Sequence, residues 1–363
     1  MKIQRRQALL LPLSLGIAFT SCSLLATEFD ARSYAMGGVG VTTADYVTAS
    51  FHNPAMAAKH DVRDDFGLLA PVIGLQIDDE ADLFNDLPSD PLELVGDKAY
   101  YETGFGLVAS VPTRYYSTNV FIKGYADSLA FADVVPNDSN SKVSVYAISV
   151  LEFGMTFARK FDTRYGGMHF GFSPKYNIFS TYNYSEVVND FDPDKYKDGA
   201  SSDDKGFNLD LGMEMGLLHG LSVGAAVKNL ISQEVDLKTM NNSSASYKLN
   251  PVVTTGISWT GDYAMLAMDI DLNAALGYEN MNTLSGLSDN FDDTQMLKIG
   301  GEIGSESAVQ FRAGYMYDLQ GNKSQIFTAG VGLSPFNVFQ LDLAASYGGE
   351  NKLGVAAQTM VWF

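Results

Sequence analysis

Apolar and polar residues alternate along much of this chain. In "FQLDLAASY", one parity class is apolar and the other contains Gln340, Asp342 and Ser346. The segments around 309–318 and 207–216 show the same two-residue period. Because successive side chains of a β-strand point to opposite faces, this pattern predicts strands that share one apolar face.

The alternation predicts fourteen strands, an even number. Their approximate ranges are 65–77, 101–113, 116–128, 142–160, 166–184, 205–217, 219–234, 246–260, 263–274, 293–304, 307–319, 323–334, 337–348 and 352–363.

The connections between these strands differ in length. Short turns near residues 114, 218, 260, 304 and 334 alternate with long polar stretches at 78–100, 185–204, 235–245 and 275–292. A soluble β-sandwich also shows alternation, but the long strands, the unequal connections and the aromatic terminus "TMVWF" favour a membrane barrel. We therefore predict an all-β fold, a transmembrane antiparallel β-barrel of about fourteen strands.

The N-terminus has the form of an export signal. Lys2, Arg5 and Arg6 precede an apolar run that extends to about Ala26, which indicates a secretory signal peptide. A retained inner-membrane anchor is the alternative. The predicted organisation is a signal peptide over 1–26, an N-terminal hatch or plug over 27–60 and an outer-membrane barrel over 61–363.

Composition narrows the classes of partner. The net charge of −19 disfavours contact with phosphate backbones, so no nucleic-acid ligand is expected. Cys22 is the only cysteine and falls within the predicted signal, where it is either an ordinary residue of the apolar run or a lipidation site. After the signal no apolar run is as long as a helical span, so strands would have to carry any membrane role.

Residues 27–60 are rich in Gly, Ala and Thr and lack sustained alternation. Such a segment can fold back into a barrel lumen, where small residues allow close packing, or it can form a periplasmic tail before the first strand. Pro54 fixes its own φ and pushes Asn53 toward an extended conformation, so this step predicts a rigid corner. The candidate hatch or gate residues are Gly37, Gly38, Asn53, Pro54 and Ala55.

The stretch 35–58 resembles the N-terminal hatch of the FadL family of long-chain fatty-acid transporters, in which an Asn-Pro-Ala motif lies within the plug. The segments "LEFGMTFARKF", "GFSPKYNIFSTYNY", "VGAAVKNLI", "FRAGYMYDL" and "GVGLSPFNVFQLDLAASYG" resemble the FadL-like barrels that carry the plasmid-transfer name TraF. The resemblance implies fourteen strands, a plug and passive uptake of small hydrophobic molecules. The alternative is a non-conducting barrel with a structural or assembly role in conjugal transfer, secretion or surface attachment.

The polar parity class supplies candidate lumen residues of both charge signs. These candidates are His169, Lys175, Asp210, Glu214, Lys228, Asp269, Lys298, Glu302, Arg312 and Asp342. A mixed set indicates an internal ion-pair network more simply than a selective polar channel, because an unpaired buried charge is costly. Met265, Met296, Met316 and Met360 share the inward parity and could line a hydrophobic path.

No enzymatic site is predicted. Residues 220–224 match G-x-S-x-G, but a nucleophile elbow requires a strand, a sharp turn and a helix, whereas Ser222 begins a predicted strand. No catalytic residue, metal site or cofactor is expected.

The predicted location is the outer membrane of a Gram-negative bacterium. The expected partners are outer-membrane lipid and lipopolysaccharide, the barrel assembly machinery through the C-terminal Phe363, and a small hydrophobic ligand.

Overall fold

The computed structural model of the protein describes residues 30–60, 65–79, 98–113, 116–133, 141–164, 166–187, 200–238, 244–279, 292–304, 308–336, 338–349 and 351–363. The predicted signal peptide lies outside the described residues. Among those residues, no helix is both long and apolar enough to cross a bilayer.

Fourteen strands form a closed antiparallel barrel, which confirms the predicted fold class. Each barrel strand pairs with the next one along the chain, and the first pairs with the last, so that Leu75 lies opposite Val355. The barrel strands are β1 (Gly67–Asp78), β2 (Lys98–Val111), β3 (Ser117–Asp133), β4 (Lys142–Thr163), β5 (Gly166–Val187), β6 (Ala200–Gly216), β7 (Leu221–Lys228), β10 (Val252–Thr260), β11 (Ala264–Asp271), β13 (Met296–Ile303), β14 (Val309–Asp318), β15 (Ile326–Leu333), β16 (Phe339–Gly349) and β17 (Lys352–Trp362).

Three further strands form a separate sheet, which we call the inner sheet: β8 (Gln233–Lys238), β9 (Ser244–Leu249) and β12 (Tyr278–Glu279), in the order β12-β9-β8. The sequence predicted continuous strands over 219–234 and 246–260, and both predictions were wrong in that respect. Asn229 takes a left-handed φ of 55° and donates its N–H to the Asp210 carboxylate at 2.7 Å. Pro251 has no N–H to give to a ladder, so the chain leaves and rejoins the wall at these points.

The N-terminal part is helical in short pieces. The helix α1 (Ala31–Ala35) begins after Asp30, whose carboxylate accepts hydrogen bonds from the N–H groups of Arg32 and Ser33. Two 3-10 helices follow, at Thr48–Phe51 and Pro54–Ala58.

The wall has two unlike faces and unequal height. Outward side chains such as Phe311, Phe327 and Leu353 are more than half exposed, whereas their inward neighbours are buried. The strands β3–β6 have 17 to 22 residues, but β7, β11, β13 and β15 have 8 each. At about 3.3 Å per residue, one side of the barrel therefore rises well above the other.

The inner sheet lies against the inward face of the taller side. A buried cluster joins Val235, Leu237 and Tyr247 of this sheet to Leu129, Tyr146 and Phe179 of the wall. The inner sheet thus occupies the end of the barrel that carries the long connections.

Candidate functional site

Residues 30–60, which we call the N-terminal segment, are almost entirely buried and touch the inward face of the wall at several places. The first contact is at β13–β15. Gly37, with φ +69°, donates its N–H to the Thr328 hydroxyl at 2.9 Å. A Cβ on Gly37 would lie 2.7 Å from the Ile299 carbonyl oxygen and from the Tyr315 nitrogen. Only glycine permits this approach, because of both its φ and its lack of a side chain.

The second contact is made by the Asn-Pro-Ala step against β5 and β6. Asn53 is extended (φ −128°, ψ 111°), as predicted for a residue that precedes proline. Its Oδ1 accepts the Ala55 N–H at 3.0 Å. Its Nδ2 donates to the carbonyls of Val41 at 2.7 Å and Met213 at 3.0 Å. The amide therefore holds the segment together and ties it to the wall.

Two glycines of the wall, Gly171 and Gly212, lie directly beneath this step. A Cβ on Gly212 would overlap the Asn53 side-chain oxygen, and a Cβ on Gly171 would overlap the Pro54 carbonyl group. These two glycines are register partners on β6 and β5. Together they form a flat seat for the Asn53–Ala55 corner.

The third contact is apolar. Val47 and Phe51 pack with Val72, Val108 and Phe121 of β1–β3 in one buried cluster. Since these contacts lie on β13–β15, on β5–β6 and on β1–β3, the N-terminal segment spans the lumen.

Buried ion pairs reinforce these contacts. Arg312 lies between Glu302 at 2.7 Å and Asp342 at 2.6 Å. Arg32 of the N-terminal segment joins the same Glu302 at 3.0 Å and also pairs with Asp45 at 3.1 Å. The segment thereby contributes a charge to a network of the wall.

A second set of pairs lies near β5 and β6. Glu214, fully buried, pairs with His169 at 2.6 Å and with Lys59 of the N-terminal segment at 2.8 Å. Lys175 lies 3.0 Å from both Glu152 and Asp210.

Inside the segment, His52 lies 2.9 Å from the Asp30 carboxylate. Burial alone would raise the pKa of Asp30, but the hydrogen bond and charge of His52 outweigh it and lower that pKa below its ordinary value. Asp269 of β11 accepts the N–H groups of Gly40 at 2.7 Å and Val41 at 2.9 Å.

The structure places the sequence-predicted lumen residues on the inward face of the wall. Eight of them take part in the contacts just described: His169, Lys175, Asp210, Glu214, Asp269, Glu302, Arg312 and Asp342. The remaining two, Lys228 and Lys298, line a cavity, and Lys228 also donates to the Phe51 carbonyl. Gly38 lies beside Lys298.

Several partners of this network escaped sequence reasoning. Glu152 has the inward parity of β4 and could have been found from it. Arg32, Asp30 and His52 could not, because the N-terminal segment has no periodicity that assigns a side chain to a face.

The cavity of about 80 Å³ lies between the N-terminal segment and the inner sheet. Its apolar lining includes Met296, Met316 and Ile326, and its cations are Lys228, Lys298 and Lys323. It is large enough for several waters and narrow for an organic molecule. A larger ligand would need one of the two internal elements to move.

The inner sheet is held differently from the segment. Tyr278 packs edge to face on Tyr247, with ring centroids 5.2 Å apart, and donates its N–H to the Asp292 carboxylate at 2.7 Å. Burial, followed by the charge of Asp293, raises the pKa of Asp292 to about 7. The buried carboxylate of Asp127, below this sheet, has no hydrogen-bond partner among the described residues.

Ser222 is not arranged as a nucleophile. It follows a turn at Leu218–Gly220 and lies in β7, where no helix comes next, and its hydroxyl is 3.4 Å from the Lys59 ammonium. The G-x-S-x-G match is therefore a feature of a hairpin.

The middle of the chain decides its family. Residues 90–271, half of the sequence, match the family model described as "F plasmid transfer operon, TraF, protein". The chain belongs to this TraF family. No curated protein sequence matches it.

Solved structures share the fold of this TraF-family chain. The toluene transporter TbuX of Ralstonia pickettii matches with a TM-score of 0.60 and 14% identity, over 92% of this chain and 98% of TbuX. The P. putida toluene transporter TodX matches at 0.56 and 13%, over 91% and 97%. The monoaromatic hydrocarbon channel CymD matches at 0.60 and 13%, over 92% and 97%. The TraF-family chain therefore shares the barrel fold of these transporters and of this channel.

Proposed function

We propose that this protein is an outer-membrane channel for the passive uptake of small hydrophobic molecules, with the N-terminal segment as its plug and gate. The observation that carries the proposal is the partly apolar cavity of about 80 Å³ between the N-terminal segment and the inner sheet, inside a closed barrel. The likeness of the fold to transporters of toluene and a channel for monoaromatic hydrocarbons supports the class of substrate.

The proposed path has two barriers in series. A molecule arriving from outside would pass the inner sheet, enter the cavity beside Met296 and Met316, and then meet the N-terminal segment. The lining suits a small apolar solute, because methionine side chains adapt to irregular shapes. The corner at Asn53–Ala55 is the proposed gate, since its seat of two glycines would let it slide without clashing with wall side chains.

The membrane location is part of the proposal. The outward side chains form an apolar surface that bilayer lipid would cover, with lipopolysaccharide at the end carrying the long connections. Phe363, exposed after the last strand, suits recognition by the barrel assembly machinery.

Uptake by whole cells tests the function. We expect a strain lacking the protein to take up radiolabelled toluene at low concentration more slowly than the complemented strain. Intact cells are needed because a phospholipid bilayer is itself permeable to small apolar solutes. Equal uptake by the two strains at every concentration, with the barrel present in the outer-membrane fraction of the complemented strain, would contradict the proposed channel function.

A second candidate is a non-conducting barrel with an assembly role in conjugal transfer. The family description and the dense ion pairing inside the barrel favour it. In the same pair of strains, this candidate predicts lost plasmid transfer with unchanged toluene uptake.

A further inference from the structure

The outer face of the wall carries a groove that the channel function does not use. It has a volume of about 610 Å³ and crosses β4–β7 on the side that faces away from the lumen. Its walls are mainly aromatic and aliphatic, with Phe157, Phe170, Phe172, Leu211 and Met213 among them.

The register of the strands creates this groove. One outward row across four strands consists of Phe157, Phe172, Leu211 and Val227, and the next consists of Arg159, Phe170, Met213 and Ala225. Between these rows lie the inward-facing Gly171 and Gly212, which contribute only backbone to the floor of the groove. Ala225, being small, leaves the β7 end open.

One end of the groove is cationic. Arg159 is exposed and stacks on the rings of Phe161, at 4.8 Å from its centroid, and Tyr116, at 5.1 Å. Its Nη1 donates to the Tyr116 hydroxyl at 3.1 Å. Within the described parts of the chain it forms no salt bridge, although the chain as a whole has a charge of −19.

The position of Arg159 along the barrel matters. It lies four residues before the end of β4 at Thr163, and Tyr116 immediately precedes β3, so both are at the end with the short turns. In the proposed orientation this end faces the periplasm. Arg and Tyr at such a level are typical of the boundary between acyl chains and head groups.

We propose that this groove binds one glycerophospholipid of the periplasmic leaflet, with an acyl chain along Phe172 and Met213 and the phosphate on Arg159. The inference rests on the proposed membrane location but not on transport. A guanidinium that forms no salt bridge with a described residue, beside an aromatic slot, complements an anionic head group joined to an apolar chain.

Native mass spectrometry of the detergent-purified full chain tests this proposal. The probes are dioleoyl phosphatidylglycerol and dioleoylglycerol, which has the same chains without phosphate. We expect Arg159→Gln to lower the affinity for phosphatidylglycerol about fivefold and to leave that for dioleoylglycerol unchanged. Ala225→Phe, which fills the slot, should weaken both, with far-ultraviolet circular dichroism confirming an intact barrel.

The matched control is Lys160→Gln, which removes the same charge from the neighbouring residue on the opposite face of β4, where Lys160 pairs with Asp162 at 3.6 Å. It should bind phosphatidylglycerol like the wild type. An equal loss in both charge variants, no loss in Arg159→Gln, or displacement of phosphatidylglycerol by equimolar lipid A would each overturn the proposal. Toluene uptake by the Arg159→Gln strain, measured separately, reports on the channel function and is independent of these outcomes.

Discussion

The two elements inside the barrel are held by opposite means. The N-terminal segment is fixed by directed polar contacts, in which Arg32, Lys59 and the Asn53 amide each meet a specific wall atom. The inner sheet is fixed mainly by a cluster of aromatic and aliphatic side chains, and the buried carboxylate of Asp127, on β3 of the adjoining wall, has no hydrogen-bond partner among the described residues. Directed polar contacts therefore dominate in the first element and apolar packing dominates in the second, where Gln233 accepts hydrogen bonds from both Asn177 and Asn208 of the wall.

This difference suggests how each barrier would respond. Removing one partner of a buried ion pair is strongly destabilising, because the other charge stays buried without compensation. Apolar packing has no such directionality, so the inner sheet can shift in small steps while it keeps most of its contacts.

Removing the central cation of the wall network that Arg32 joins should be the most damaging change. Arg312→Met leaves the buried carboxylates of Glu302 and Asp342 without their shared partner. We expect a loss of about 3–5 kcal/mol in the free energy of unfolding, measured by urea titration in detergent micelles.

The control for this variant is Lys160→Met, which breaks an exposed pair with Asp162. It should cost about 0–1 kcal/mol. Similar losses in the free energy of unfolding of the two variants would show that the internal network does not stabilise the folded barrel.

The glycine seat should tolerate no side chain. A Cβ at Gly212 overlaps the Asn53 oxygen, so Gly212→Ala should displace the Asn53–Ala55 corner at a cost of about 1–3 kcal/mol. Limited proteolysis within residues 50–58 would detect the displaced segment. Gly216→Ala, on the same face of β6, meets only the Gly167 carbonyl oxygen at 3.8 Å and should leave the segment protected.

The inner sheet should respond to pH. The pKa of Asp292 is about 7 in the folded protein, above its value of about 3.9 in an unfolded chain, so the neutral carboxyl stabilises the sheet. That stability is complete below about pH 4 and is lost as the pH rises toward and through 7. Nearby charges from Asp293 and Lys323 act on the same group.

Hydrogen exchange at the Tyr247 amide, corrected for the intrinsic rate, measures this effect. Wild-type protection should fall between pH 5 and pH 8 by an amount on the order of 1–2 kcal/mol. Asp292→Asn keeps an oxygen for the Tyr278 N–H and should show no such fall. A pH dependence that persists in this variant would assign the titration to another group.

Sequence periodicity predicted the wall well, since a strand's two-residue period ties Glu302, Arg312 and Asp342 to one face without reference to any partner. It could not pair them, because that requires the register of four strands, from β13 to β16. It also extended two strands past Asn229 and Pro251, where a single left-handed residue and a missing N–H redirect the chain into the lumen. Periodicity did not predict the inner sheet for that reason. It did not predict the path of the N-terminal segment because glycine and alanine show no preferred face.

The central claim is that the N-terminal segment must move for a molecule to pass. The hydroxyls of Ser50 and Thr156 lie 2.8 Å apart, one on the segment and one on β4, so cysteines at both positions can form a disulfide between segment and wall. The natural Cys22 falls within the predicted signal peptide. Single-cysteine variants serve as controls.

Toluene uptake by cells carrying Ser50→Cys and Thr156→Cys together is the most direct measurement of this claim. The account predicts uptake at the level of the strain lacking the protein while the disulfide is formed, and recovery after treatment with dithiothreitol. Uptake that is the same before and after reduction, with the disulfide verified by mass spectrometry, would contradict it.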